Sequence, residues 1–161
     1  MGNLQNLVSL KLDGNKWTSL DAPMAWSSLV TLNASDNQLS AVGLGWLGNL
    51  VNLDLSTNQL TTVDLSEMGT PTLSVVDLSN NDLISVMGNT ANWPQVPNIT
   101  QLWLESNQLT ALGDLSVLKA LQYLNLGNNP SFNCPSLNLP SDGPVCRNSN
   151  CGNSATPDCG G

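Results

Sequence analysis

Six segments of the chain are copies of one template, and this repetition constrains the fold more than any other feature. LVSLKLDGNKW begins at Leu7, LVTLNASDNQL at Leu29, LVNLDLSTNQL at Leu50, LSVVDLSNNDL at Leu73, ITQLWLESNQL at Ile99 and LQYLNLGNNPSF at Leu121. They follow L-x-x-L-x-L-x-x-N, mostly with x-L after it. The template asparagines Asn15, Asn37, Asn58, Asn81, Asn107 and Asn129 are spaced by 22, 21, 23, 26 and 22 residues. Such a period marks units that cannot bury their apolar face alone and must stack on one another. Within each unit the alternation x-L-x-L has period two, which predicts a short strand with leucines inward and the intervening residues toward solvent. Parallel stacking about 4.8 Å apart completes the hydrogen-bond ladder and joins the leucines into one core. The asparagine turns the chain out of the strand, where its amide can satisfy backbone groups left unpaired by the bend.

The template and its period resemble the leucine-rich repeat superfamily over roughly residues 4 to 130. The resemblance implies an α/β-type right-handed repeat solenoid with a parallel concave β-sheet and a mostly irregular or 3₁₀ convex side. It also implies that the concave sheet is the ligand surface. Among the return segments, TALGDLSVLKA carries Leu112, Leu115 and Leu118 at a spacing suited to a turn of 3₁₀ or α-helix. The longest interval, Asn81 to Asn107, holds MGNTANWPQVPN, whose extra residues should bulge from the convex or loop edge. Trp17, Trp26 and Trp46 read as scaffold at core or turn positions, whereas Trp93 is either a lid on the core or an exposed contact.

Once the leucines are placed, register leaves no freedom in the outward residues. They form three columns: Ser9, Thr31, Asn52, Val75, Gln101 and Tyr123; Lys11, Asn33, Asp54, Asp77, Trp103 and Asn125; and Asp13, Ser35, Ser56, Ser79, Glu105 and Gly127. On this small, polar face Trp103 and Tyr123 fall on neighbouring strands beside Glu105, the composition expected of a contact hot spot. Asp54 and Asp77 are also neighbours, and with Gln101 and Glu105 complete the candidate ligand residues. The two aspartates read first as a solvated acidic face and second as a contact for a cation or a basic partner. A glycosidase pair would share their separation, but an open sheet offers no cleft.

After Asn129 the composition shifts to Pro, Ser, Asn, Gly and Cys, dividing the chain into an array over residues 1–130 and a cap or tail over 131–161. Cys134, Cys146, Cys151 and Cys159 all lie in the second part and read as two disulfides, with three connectivities open. Zinc sites prefer paired C-x₂₋₄-C spacing and usually some His, so no metal is expected. Terminal caps with cysteines are also common in extracellular leucine-rich repeat proteins, and together these point to a secreted or cell-surface setting. The sequons at Asn33 and Asn98 are compatible with it as glycosylation sites. At the other end nothing resembles a cap, because Leu4 aligns with Leu47 and the chain begins inside a repeat. The expectation is a fragment of a longer array, or self-association through the uncapped first repeat.

Composition removes other classes of function. Histidine is absent, taking away the usual general base, metal ligand and nucleophile partner. Lys and Arg number 4 against 12 Asp and Glu, a formal charge of -8, which makes nucleic acid and anionic membrane poor partners. No apolar run approaches the roughly 20 residues of a membrane span. The sequence therefore reads as a non-enzymatic extracellular module without cofactors, recognising a protein or a glycan on its concave sheet. The rival is a structural subunit stacking end to end into a filament or matrix.

Overall fold

The computed structural model describes residues 5–20, 26–45, 47–68, 72–86, 96–133, 139–140 and 145–147, with 66, 67 and 145–147 described by their backbone only. Trp46, Trp93, Cys134, Cys151 and Cys159 lie outside the described residues. Six strands fall on the six template segments: β1 Ser9–Lys11, β3 Thr31–Asn33, β5 Asn52–Asp54, β7 Val75–Asp77, β9 Gln101–Trp103 and β10 Tyr123–Asn125. All pair in parallel in the order β1-β3-β5-β7-β9-β10. A seventh strand, β11 Val145–Arg147, continues the same sheet within the segment assigned above to the cap or tail. Its register sets Cys146 beside Leu124 and Arg147 beside Asn125.

The core is the stack of template leucines. Leu32, Leu53, Val76, Leu102 and Leu124 form one row of register partners and are almost wholly buried. Burying each such side chain contributes about 1.5–3 kcal/mol, so a short strand with one inward residue is held by the stack rather than by its own hydrogen bonds. On the return side Leu112, Leu115 and Leu118 also enter the core. They do so through turns rather than the helical turn expected over 110–120; the 3₁₀ segment lies instead at Leu65–Met68. Two further parallel pairs were not anticipated. The pairs are β2 Ser19–Leu20 with β4 Ala41–Val42, and β6 Thr62–Val63 with β8 Ser85–Val86. In three of these doublets the second residue is buried, at Leu20, Val63 and Val86, so the doublet is a polar-out, apolar-in step too short for its period to stand out from sequence.

The asparagines lock successive coils together. Asn58 Nδ2 donates to the carbonyls of Leu55 and Ser56 in its own coil and of Ala34 in the coil before, at 3.0, 3.1 and 3.0 Å. Its Oδ1 accepts the N–H of Leu39 at 2.9 Å. Asn37, Asn81, Asn107 and Asn129 repeat this four-bond pattern. The residue before each template asparagine has a left-handed backbone: Gly14, Asp36, Thr57, Asn80, Ser106 and Asn128, with φ between 52° and 67°. Gly, Asn and Asp tolerate that conformation, but β-branched Thr57 does so at a cost.

The β1 end of the stack is open among the described residues. Leu7, Leu10 and Leu12 are half-buried there, whereas their counterparts in later coils are buried. Trp17 occupies the position filled in later coils by Leu39, Leu60, Leu83 and Leu109, each wholly buried, yet it is 49% exposed. This corrects the scaffold reading of Trp17: the template position faces the core only where a preceding coil stacks upon it. Trp26 is half-buried against the core, as expected of scaffold.

Candidate functional site

The ladder pairs the three outward columns strand by strand. Ser9, Thr31, Asn52, Val75, Gln101 and Tyr123 are successive partners, as are Lys11, Asn33, Asp54, Asp77, Trp103 and Asn125. Asp54 therefore stands beside Asp77, and Asp77 beside Trp103.

Most of the middle column is tied to the third column by a local turn. Asp77 Oδ1 accepts the backbone N–H of Ser79 at 2.9 Å and its hydroxyl at 2.6 Å. Asp54 does the same with Ser56 at 3.0 and 2.7 Å, and Asn33 with Ser35 at 2.9 and 2.7 Å. Asn125 Oδ1 accepts the N–H of Gly127. These Asx turns give Asp54, Asp77 and Asn33 a structural task that the sequence reading missed. Its signal was present: Asx in the middle column is followed two residues on by Ser or Gly in four of the six repeats. Asn33, one of the two sequon residues, is half-buried on the sheet, while Asn98 is exposed in the turn before β9.

The fifth repeat breaks the pattern, with Trp103 in the Asx position and Glu105 in the serine position. The side chains of Trp103 and Tyr123 meet across β9 and β10 with ring centroids 4.1 Å apart and planes inclined at 39°. Both rings are half-buried, and Gln101 beside Tyr123 is exposed. Burial pushes the Glu105 carboxyl above the ordinary carboxylate range; a hydrogen bond to its own backbone amide works against this, and the charge of Asp77 adds to it. Among the described residues Glu105 Oε2 is shut off from solvent and has no hydrogen-bond partner. The structure thus brings Trp103, Tyr123, Glu105, Asp77 and Gln101 into one corner of the sheet, with Asp54 one strand further away. A shallow open depression of 490 Å³ lined by Asn15, Lys16, Trp17, Thr18 and Ser19 lies at the opposite end of the stack. Cys146 is described only through its backbone at an inward register position, so the proposed disulfides fall outside the described side chains.

The family model for the leucine rich repeat matches residues 28–50 and 49–70, two of the six template copies. A solved leucine-rich repeat protein of Leptospira interrogans superposes with a TM-score of 0.71 at 28% identity, over 83% of this chain and 34% of that one. The chain folds as a leucine-rich repeat solenoid. The functional domain of InlJ from Listeria monocytogenes, whose structure includes a cysteine ladder, shares the solenoid fold at 19% identity and a TM-score of 0.54. That match covers 92% of this chain and 40% of InlJ's domain, so the solenoid spans well under half the length of either neighbour. No curated protein sequence matches the chain. Among the described residues of the solenoid, no helix is long and apolar enough to cross a membrane.

Proposed function

We propose that the solenoid is a non-enzymatic module that recognises a partner protein on its concave sheet, anchored by Trp103 and Tyr123. The observation that carries this reading is the paired, half-buried aromatic contact between β9 and β10 on a face otherwise made of small and polar side chains. Aromatic anchors in such a setting provide large contact area at little conformational cost, and they dominate binding energy where they occur. Gln101, Glu105, Asp77 and Asp54 form the polar surround. Leucine-rich repeats commonly serve as protein-binding scaffolds, and both solved neighbours are longer proteins, which fits a module within a larger assembly.

The setting we propose is extracellular. The four cysteines gathered after the array support it, as disulfides there would staple a segment poor in apolar residues. Of the two sequons, Asn98 in its exposed turn is the better glycan acceptor; a glycan on Asn33 would stand on the recognition surface itself. Thiol titration of the protein as secreted, before and after reduction, tests the compartment: four free thiols without reduction would contradict it.

Selection of binders from a displayed peptide library against the whole chain, followed by affinity measurement on Trp103→Ala, tests the recognition surface. The expected loss is about 2 kcal/mol, roughly thirtyfold in Kd. Binders whose affinity is indifferent to Trp103→Ala and Tyr123→Ala would place recognition elsewhere.

A further inference from the structure

The corner holding the aromatic pair is also where negative charge accumulates on the sheet. Asp54 on β5, Asp77 on β7 and Glu105 just past β9 belong to three consecutive coils. Among the described residues the aspartate side chains bond only within their own turns, to Ser56 and Ser79. Glu105 Oε2 has no donor among the described residues. Of the cations in the middle column, Lys11 on β1 lies four strands from Trp103, whereas Arg147 holds the register position beyond Asn125, two strands from Trp103. The aromatic rings are inclined by 39°, so they do not form the flat platform on which a sugar ring stacks. Indole and phenol faces attract cations through the ring quadrupole, and neighbouring carboxylates strengthen that attraction in a partly desolvated site.

Building on the recognition reading above, we infer that this corner receives a cationic side chain, Arg or Lys, from the partner protein. The head group seats against Trp103 and Tyr123, and Asp77 and Glu105 supply the opposing charge. Arg suits the site better than Lys, because its planar guanidinium stacks on a ring while donating to a carboxylate. Charge complementarity selects this occupant over an apolar or acidic one. It also makes binding sensitive to salt, since much of the attraction is between partly exposed groups.

The test uses short peptides of one sequence carrying Arg, Lys or the uncharged isostere citrulline at the central position. They are titrated into the whole chain while the indole N–H resonances are followed by NMR, with Trp103 assigned through Trp103→Phe. The expected result is a saturable shift of the Trp103 resonance with the Arg peptide, weaker with Lys and absent with citrulline. Binding should fall about tenfold in the double variant Asp77→Asn, Glu105→Gln, and should weaken at high salt. Asn at position 77 keeps the turn acceptor, as Asn33 and Asn125 do natively, so this variant changes charge rather than fold. A citrulline peptide that shifts Trp103 as strongly as Arg, or an Arg peptide indifferent to the double variant, overturns the inference. So does a Trp103 resonance moved by a neutral oligosaccharide and by none of the peptides. Selected binders that need Trp103 but show no charge preference would remove the cation site and leave the recognition surface standing.

Discussion

Leu39 donates its backbone N–H to Oδ1 of Asn58, 19 residues later in the chain, at 2.9 Å. That bond crosses between coils, and the same asparagine holds three carbonyls with Nδ2. The interlock therefore couples neighbouring repeats through a buried polar group that is satisfied only when both coils are in place. Replacing Asn58 by Ala would leave the buried Leu39 N–H without its acceptor, while the carbonyls of Ala34, Leu55 and Ser56 each lose one donor and keep another, from Asn37, Asn81 and the Asp36 N–H. The expected destabilisation is about 2–3 kcal/mol in urea unfolding. Asn15→Ala is the control: Asn15 is exposed and, among the described residues, bonds only the carbonyls of Leu12 and Asp13, so its loss should cost less than about 1 kcal/mol.

Thr57 occupies the left-handed column at φ 54°, where the other repeats use Gly, Asp, Asn or Ser. A β-branched side chain is the least suited of these. Thr57→Asn should stabilise the fold by about 0.5–1 kcal/mol, read as a higher urea midpoint at unchanged slope. A lower midpoint would mean that the Thr57 side chain makes a compensating contact.

Asp77 serves first as the acceptor of the turn closed by Ser79. Asp77→Ala should cost about 1 kcal/mol through the lost turn, whereas Asp77→Asn should be nearly neutral. Equal destabilisation by both variants would show that the charge of Asp77, rather than its acceptor oxygen, stabilises the turn.

The raised titration of Glu105 gives stability a definite pH slope. The folded state holds the Glu105 proton to a higher pH than the unfolded chain does, so its contribution falls as pH rises from the ordinary carboxylate range through the folded titration. Glu105→Gln removes a charge that is partly buried near Asp77. The variant should have a higher Tm than the parent at neutral pH, and the gain should disappear on acidification below the ordinary carboxylate range. A gain that persists in acid would assign the effect to packing.

Much of this architecture is legible in the sequence because the repeat supplies the same information six times. Leucine periodicity places the six long-sheet strands β1, β3, β5, β7, β9 and β10, and a period-two strand leaves only one outward register, so the sequence assigns Trp103, Tyr123, Asp54, Asp77, Gln101 and Glu105 to the face. Features carried by two or three residues were harder to read. The β2–β4 and β6–β8 pairs have too few residues to display a period, and the Asx turns at Asn33, Asp54, Asp77 and Asn125 resemble ordinary polar surface until their serine or glycine partners are seen.

What the amino-acid order alone determined is the stacking rule: leucines at fixed spacing must share one interior, and asparagine at a fixed offset must turn the chain. Only the tertiary structure decided what each copy of the rule experiences. Trp17 and Leu39 hold the same template position, yet one is half exposed and the other wholly buried. Trp103 and Asp77 share a column, yet one packs on Tyr123 and the other closes a turn. The physical reason is that burial and partnership in a solenoid come from the adjacent coils, so the same template position meets different surroundings at the end of the stack, in its middle and where one coil departs from the pattern.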